Sequence, residues 1–327
     1  MKNEPKVSII VPVYKVEKHV SRCSRSLFEQ TFHNIEYIFV DDASPDNSIQ
    51  IIKDVLEEYP ERKAQCVFLQ HSVNKGLTSA RNTGLKRASG KYILHCDSDD
   101  WQDVRMVEKM YTAIEANNAD VAVCGFKMVY ADRSEVKKTC KWTGDKVLDL
   151  KNYIGSVWTC VWNVMVMRDL FETYQIFSLE SLTFCEDFNL MAKLLLHARK
   201  VCYVAEPLYN YNQMNSNSIM KTLNEKSMLS EQTAYLDVIE YYKNQGFYEL
   251  YAQELCWRVL KSKQEWVLDE STYHLFLNMH PESHRYIWSC PYINVKLKIM
   301  MWSLSHHCTI VARFMLLLRK IRHRNDI

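Results

Sequence analysis

Short apolar runs alternate with segments of helical periodicity over the first 130 residues of the chain. The runs are rich in β-branched and aromatic residues, which is typical of buried strands. Between them, apolar residues recur every three or four positions, which predicts amphipathic helices. This alternation predicts an α/β fold, with a mostly parallel sheet flanked by helices on both faces. The predicted strands are 7–14, 35–44, 66–71, 91–97 and 120–130, and the predicted helices are 16–30, 47–59, 76–89 and 104–117.

The pattern changes further along the chain. Residues 131–185 are too irregular to assign, but 185–198 predicts a helix with acidic residues in its first turn, where the helix dipole favours them. From about residue 222 the chain is helical, and Gly246 is the only one of the seven glycines beyond residue 155. We therefore predict two domains, 1–220 and a helical C-terminal extension, 221–327.

Three aspartates, Asp97, Asp99 and Asp100, crowd the end of the predicted strand 91–97. Buried carboxylates cost several kcal/mol, on the order of 3–5, unless a partner neutralises them, so a cation is expected beside them. Ligands of parallel α/β sheets bind outside the carboxyl ends of the strands. That edge should also carry residues 12–14, after the first strand, and Asp41 with Asp42, after the second.

The Asp97-Ser98-Asp99 triplet suits Mg²⁺ or Mn²⁺, since these ions prefer carboxylate oxygens and keep positions open for phosphate oxygens. If the strand continues, the spacer Ser98 places both carboxylates on one side. For the triplet alone, an acidic turn that caps the following helix is an equally good interpretation. Asp42 can accept a hydrogen bond from a nucleobase imide.

Cations for phosphate occur in the segment "HSVNKGLTSARNTGL", which contains Lys75 and Arg81. Gly76 permits close backbone approach, and the start of the helix offers N–H groups to anions. An ordinary basic surface helix is the alternative interpretation. The chain has neither GxGxxG after its first strand nor GxxxxGK[ST] anywhere, which argues against dinucleotide dehydrogenases and P-loop NTPases.

Three segments together resemble the inverting glycosyltransferases of family 2, which have the Rossmann-like GT-A fold. They are "VSIIVPVYKVEKHVSRCSRSLFEQTFHNIEYIFVDDASPDNS", "NKGLTSARNTGLKRASGKYILHCDSDDW" and "TFCEDFNLMAKLLLHARKVCYVAEPLYNYNQMNSNS". The resemblance covers about residues 6–218 and is specific, because three motifs occur in order. It implies a sugar nucleotide as donor, a glycan or lipid-linked hydroxyl as acceptor, and Mn²⁺ or Mg²⁺ as cofactor.

The resemblance also implies residue roles. Asp187, in the family's Glu-Asp position, would be the general base. Helical spacing places Asp187 on the same face as Leu190, Met191 and Leu194, which aims it inward. Asp97 and Asp99 would form the family's D-x-D motif, in which Asp99 is the direct metal ligand and Asp97 contacts ribose or metal. The implied nucleotide-sugar contacts, around a uridine, are Pro12, Val13, Tyr14, Asp42, Lys75, Arg81 and Asp97.

Two positions near residue 160 need separate comment. Trp162 is a candidate for stacking on a sugar ring, although most aromatic side chains fill cores. Val164 stands where many relatives carry a lysine, which weakens the assignment of the donor.

Charge is uneven along the chain. The net charge is +2, so we expect no nucleic-acid partner, but residues 292–327 contain seven Lys and Arg against one acid, Asp326. The segment "TIVARFMLLLRKIRHR" predicts a basic amphipathic helix that lies on an anionic membrane or docks on the protein. No run of about 18 apolar residues occurs. Eleven cysteines without CxxC pairs, and no evident signal peptide, favour the cytoplasm.

The leading hypothesis is a metal-dependent inverting glycosyltransferase of cell-surface polysaccharide synthesis, using a UDP-sugar. A nucleotidyltransferase is a second possibility, but it would usually need a glycine- and arginine-rich loop after the first strand. A third is a catalytically inactive GT-A scaffold or regulatory subunit, for which Asp99 and Asp187 would serve no purpose.

Overall fold

The computed structural model describes residues 4–137, 139–156, 158–215 and 225–325, with side chains up to Leu317. The chain forms two compact units, Met1–Ser227 and Met228–Ile327. The predicted domain boundary at residue 220 lies outside the described residues, so the domain assignment remains a prediction.

The first unit is built on a sheet of nine strands within the described part of the chain, in the order β3-β2-β1-β4-β8-β6-β9-β5, with β7 paired to β6. The strands are β1 (Val7–Val13), β2 (Ile35–Asp41), β3 (Cys66–Gln70), β4 (Tyr92–His95), β5 (Trp101–Gln102), β6 (Val121–Val129), β7 (Ser134–Lys137), β8 (Val164–Met167) and β9 (Val201–Asn212). The helices are α1 (Val20–Phe28), α2 (Ser48–Glu57), α3 (Leu77–Arg87), α4 (Met106–Asn117), α5 (Lys146–Ile154), α6 (Arg168–Tyr174) and α7 (Glu186–His197).

Strands β3, β2, β1 and β4 are parallel, as the strand–helix alternation predicts. Every residue of β1 and β2 is buried, which explains their continuous apolar sequences. The register pairs Val13 with Asp41 and Ile10 with His95. The carboxyl ends of these strands therefore meet at one edge, where the candidate residues follow them.

The other half of the sheet is mixed. Strand β8 lies antiparallel between β4 and β6, while β6 pairs in parallel with β9. The sequence alone did not predict β8, because its four residues lie in the irregular stretch 131–185. The predicted α/β class is nevertheless confirmed.

Helix α3 lies unusually close to β1. A Cβ atom on Gly84 would stand 2.4 Å from Cγ2 of Ile10. Glycine at this position therefore lets the helix backbone rest on the central strand, which fixes the height of α3 above the sheet.

The second unit is helical in its described part. Its helices are α8 (Glu225–Asn244), α9 (Tyr248–Ser262), α10 (Tyr273–Asn278), α11 (Val295–Ser305) and α12 (Thr309–Asn325). Leu260, Phe276, Ile287 and Met301 belong to its apolar core. Among the described residues, no helix combines the length and apolar character needed to cross a bilayer.

Candidate active site

The acidic segment after β4 is a turn rather than a continued strand. Strand β4 ends at His95, and the N–H of Asp100 donates to the carbonyl oxygen of Asp97 at 3.1 Å. Asp100 is 1% exposed, and its carboxylate accepts from the Tyr209 hydroxyl at 2.8 Å and from the Asn212 N–H at 2.7 Å. Because the strand does not continue, strand alternation does not place Asp97 and Asp99 on one side. The turn is held instead by the hydrogen bonds of Asp100.

Asp97 and Asp99 remain partly accessible in this turn. Oδ2 of Asp99 accepts from Nδ2 of Asn215 at 2.7 Å. Burial, and then the negative charge of Asp97, raise the pKa of Asp99. The turn therefore holds more negative charge than its immediate neighbours neutralise.

The cation beside these acids is Arg81, on α3. Its side chain is 2% exposed. Nη1 donates to Oδ1 of Asp187 at 2.6 Å and to Oε1 of Glu186 at 3.2 Å, and Nη2 donates to Oδ1 of Asp97 at 2.9 Å. Burial opposes the charge of this guanidinium, but the three carboxylates raise its pKa. One side chain thus brings together acids that are 90 residues apart in sequence.

Asp187 lies at the start of α7, as predicted. Its second oxygen, Oδ2, accepts only a long hydrogen bond in the contacts described, 3.3 Å from the N–H of Val161. Burial raises the pKa of Asp187 to about 7, and the positive charge of Arg81 opposes this increase. The charge of Glu186 adds to the increase. A carboxylate in this setting is suited to accept a proton near neutral pH.

Asp42, the predicted nucleobase contact, has its carboxylate engaged by groups of the protein itself. Its side chain is buried, and Oδ1 is 2.7 Å from Nδ1 of His71. The N–H groups of Lys75 and Gly76 donate to its two oxygens, each at 2.8 Å. Because these donors occupy the carboxylate, Asp42 shapes the loop before α3. Gly76, at φ +90°, adopts a conformation there that other residues rarely take.

The other predicted nucleotide contacts differ in accessibility. Pro12 and Val13 are buried at the end of β1, whereas Tyr14 is 39% exposed and Lys75 is also exposed. Lys15, beside Tyr14, has a φ of +53°, so the chain turns sharply where β1 ends. Tyr14 and Lys75 are therefore the predicted contacts that an incoming ligand can reach most easily.

The expectation that Trp162 stacks on a sugar needs correction. Trp162 is 4% exposed, and its ring stacks on Tyr209 with centroids 4.3 Å apart and packs edge-on against Phe126. The buried ring packs against Tyr209, and the Tyr209 hydroxyl donates to Asp100. Trp162 therefore contributes to the acidic turn indirectly, through Tyr209.

Sequence reasoning missed several residues that build the site. His71 and Asn215 hold Asp42 and Asp99, and Tyr209 with Asn212 holds Asp100. The segment "YNYNQMNSNS" carries a signal for three of them, since its amide and hydroxyl donors lie in the last residues of β9 and just after it. His71 directly follows β3 and gave no comparable signal.

Comparison with known proteins identifies the family. The sequence model described as "Glycosyl transferase family 2" matches residues 8–174. The chain is also 34% identical over 253 residues to "Uncharacterized glycosyltransferase EpsJ" of Bacillus subtilis (strain 168), which covers 74% of this chain and 71% of that protein. The chain belongs to glycosyltransferase family 2. The expectation of a glycosyltransferase is thereby confirmed.

Two further similarities concern fold and context. This glycosyltransferase resembles the crystal structure of S. aureus TarS 1–349 in complex with UDP-GlcNAc, with a TM-score of 0.70 and 18% identity over 96% of this chain and 91% of that chain. With only 18% identity, this structural similarity supports the GT-A fold and nothing more specific. The "Minor teichoic acid biosynthesis protein GgaB" of Bacillus subtilis (strain 168) is 26% identical over 295 residues, 86% of this chain but only 32% of GgaB.

The residues of this glycosyltransferase can be tested against the expected Mn²⁺ or Mg²⁺. Within the described residues, no three His, Cys, Asp or Glu side chains converge as a metal-binding group. Asp97 and Asp99 are hard oxygen ligands in a turn with surplus negative charge. Mg²⁺ is commonly bound by one or two carboxylates together with substrate phosphates and water. The pair therefore fits a cation that binds with a diphosphate, and does not fit a fully enclosed protein site.

Proposed function

We propose that this glycosyltransferase inverts configuration at the anomeric carbon, moving a sugar from a UDP-sugar to a hydroxyl of a glycan or lipid-linked acceptor in cell-surface polysaccharide synthesis. The proposal is carried by one observation: Asp187 and Asp97 contact the same guanidinium. The candidate base and the D-x-D motif therefore share one site at the carboxyl edge of the sheet.

Asp187 is the general base in this proposal. Its Oδ2 takes the proton of the acceptor hydroxyl while the hydroxyl oxygen bonds to the anomeric carbon, and the bond from that carbon to the diphosphate oxygen breaks. Attack on the face opposite the leaving group inverts the configuration. The diphosphate leaves as an anion, so no protein acid has to protonate it.

The donor is held at the ends of β1 and β4. The exposed ring of Tyr14 offers a surface for the uridine, and Lys75 supplies an exposed positive charge for the phosphates. Asp99 and Asp97 would hold Mn²⁺ or Mg²⁺, which when bound neutralises charge on the diphosphate. TarS, which has a similar fold, binds UDP-GlcNAc, and this supports a UDP-sugar donor.

The proposed acceptor is supported by the similarity to GgaB and by the exposed apolar residues of the C-terminal helices. The name of GgaB supports a cell-surface polymer as the end product. On α12, Ile310, Phe314 and Leu317 are exposed at spacings of four and three, which places them on one face. We propose that this face rests on the inner surface of the plasma membrane, where a lipid-linked acceptor would be found.

Two substitutions test the proposal. Hydrolysis of UDP-sugars and transfer to candidate acceptors are measured with Mn²⁺, alongside UDP binding by calorimetry. Asp187→Asn should lose turnover by about 100-fold or more and retain UDP affinity, because only the base is removed. Asp99→Asn should lose the increase in UDP affinity that Mn²⁺ produces.

The inactive-scaffold alternative gives a different result. It predicts no turnover by the unmodified chain with any UDP-sugar, even when UDP binds. Equal turnover by the unmodified chain and Asp187→Asn would reject Asp187 as the base.

A further inference from the structure

Helix α3 organises the segment that leads to the candidate base. Asn82 donates through Nδ2 to the carbonyl oxygen of Ser178 at 2.8 Å and accepts from the Ser178 N–H at 3.0 Å. One turn earlier, the Thr78 hydroxyl donates to the carbonyl oxygen of Glu180 at 3.3 Å. Arg81, between these two residues, contacts the start of α7. The chain from 178 to 187 is thus attached to α3 at three positions.

The guanidinium of Arg81 has little capacity left for a phosphate. Nη1 is shared by Asp187 and Glu186, and Nη2 is bound to Asp97. Among the residues that the structure describes, Nε finds no hydrogen-bond partner, and it is fully buried. With 2% of the side chain exposed, an incoming diphosphate would have to displace a carboxylate to reach it.

We propose that Arg81 is a positioning residue, which holds the general base Asp187 and the D-x-D residue Asp97 at a fixed separation, instead of being a ligand of the nucleotide. The proposal rests on the function proposed above. A planar fork of donors can bind carboxylates on two elements simultaneously, whereas a lysine ammonium is a point charge on a flexible stem.

The charged and titratable groups around Asp187 come from four parts of the chain. Arg81 faces it from α3, Asp97 from the turn after β4, and Glu186 from α7 itself, while Cys160 precedes β8. His95, on β4, is near Arg81, and burial lowers the pKa of His95 to about 3, so this imidazole is neutral. Arg81 is therefore the group among these that can favour the ionised base.

The test compares Arg81→Lys and Arg81→Gln with Lys75→Ala, an exposed cation of the same segment. For Arg81→Lys we expect kcat to fall about 100-fold, as for a base misplaced by about 1 Å, with UDP affinity within about twofold of the unmodified chain. For Lys75→Ala we expect weaker UDP binding, because an exposed cation proposed to contact the phosphates is removed. In Arg81→Gln, the acidic limb of the kcat profile should move to higher pH, because the charge that lowers the pKa of Asp187 is gone.

A second measurement does not depend on turnover. Hydrogen exchange of the unliganded proteins should accelerate at 97–100 and 185–189 in Arg81→Lys but not in Lys75→Ala. Near-normal kcat and exchange in Arg81→Lys, together with weakened UDP binding, would overturn the proposal in favour of a nucleotide contact. If the unmodified chain transfers no sugar, the proposed function fails, and the exchange pattern alone still decides whether Arg81 positions both acids.

Discussion

Asp187 combines two opposing influences on one carboxylate. Burial raises its pKa to about 7, and Arg81 acts against that increase. A base must be ionised to accept a proton, so kcat/KM should fall about tenfold per pH unit below 7 and level off above it. A pH–rate profile between pH 5 and 9 checks this, with thermal unfolding at each pH as the control for stability. A profile that stays flat down to pH 5 would contradict the assignment.

Single residues also show where sequence reasoning succeeds and where it stops. Strand ends placed Asp97 and Asp99 at one sheet edge, whereas Asp187 was assigned to the same site only through the family resemblance. Sequence reasoning did not reveal the protein contacts that Asp42 and Trp162 already make, because a motif gives no count of the hydrogen bonds or packing contacts of a side chain. His71 lies 2.7 Å from Oδ1 of Asp42, and Tyr209 stacks on one face of the Trp162 ring.

Among the elements, α3 links the sheet to the site. Its Gly84 touches β1, and its Arg81 touches α7. The predicted helix 76–89 and the observed Leu77–Arg87 agree closely. The insertion of β8 between β4 and β6 could not be read in the same way, because long-range pairing decides its position.

Gly84→Ala should destabilise this element. Alanine favours a helix by about 1 kcal/mol relative to glycine. However, its Cβ would lie 2.4 Å from Cγ2 of Ile10, a fully buried side chain, so α3 or β1 would have to shift. Overpacking costs about 1–3 kcal/mol, so we expect a net loss and a lower urea midpoint for the first unit. Lys86→Ala, exposed on the same helix, is the control and should leave the midpoint unchanged or slightly higher. A stabilised Gly84→Ala would show that α3 can move away from β1 freely.

At the scale of the whole chain, the first unit carries the acidic candidate site, and residues 292–327 are basic and partly apolar. On α11, Val295 and Trp302 are exposed seven residues apart, and the ring of Trp288 lies 6.5 Å from that of Trp302. Tryptophan is favoured at the interface between water and lipid. The seven Lys and Arg of residues 292–327 would add attraction to anionic lipids, about 1 kcal/mol for each charge near the surface.

We therefore expect the full chain to bind vesicles containing phosphatidylglycerol at low salt and to leave phosphatidylcholine vesicles unbound. Withdrawing about 100 Å² of each half-exposed indole from water contributes roughly 2 kcal/mol, so Trp288→Ser with Trp302→Ser should weaken binding at least about tenfold. Phe247→Ser removes a similarly exposed ring elsewhere in the second unit and should leave vesicle binding unchanged. Co-sedimentation measures all three proteins, and turnover of a water-soluble acceptor should stay unchanged in the tryptophan variant. If the full chain remains in the supernatant with anionic vesicles, the exposed faces of α11 and α12 serve some partner other than lipid.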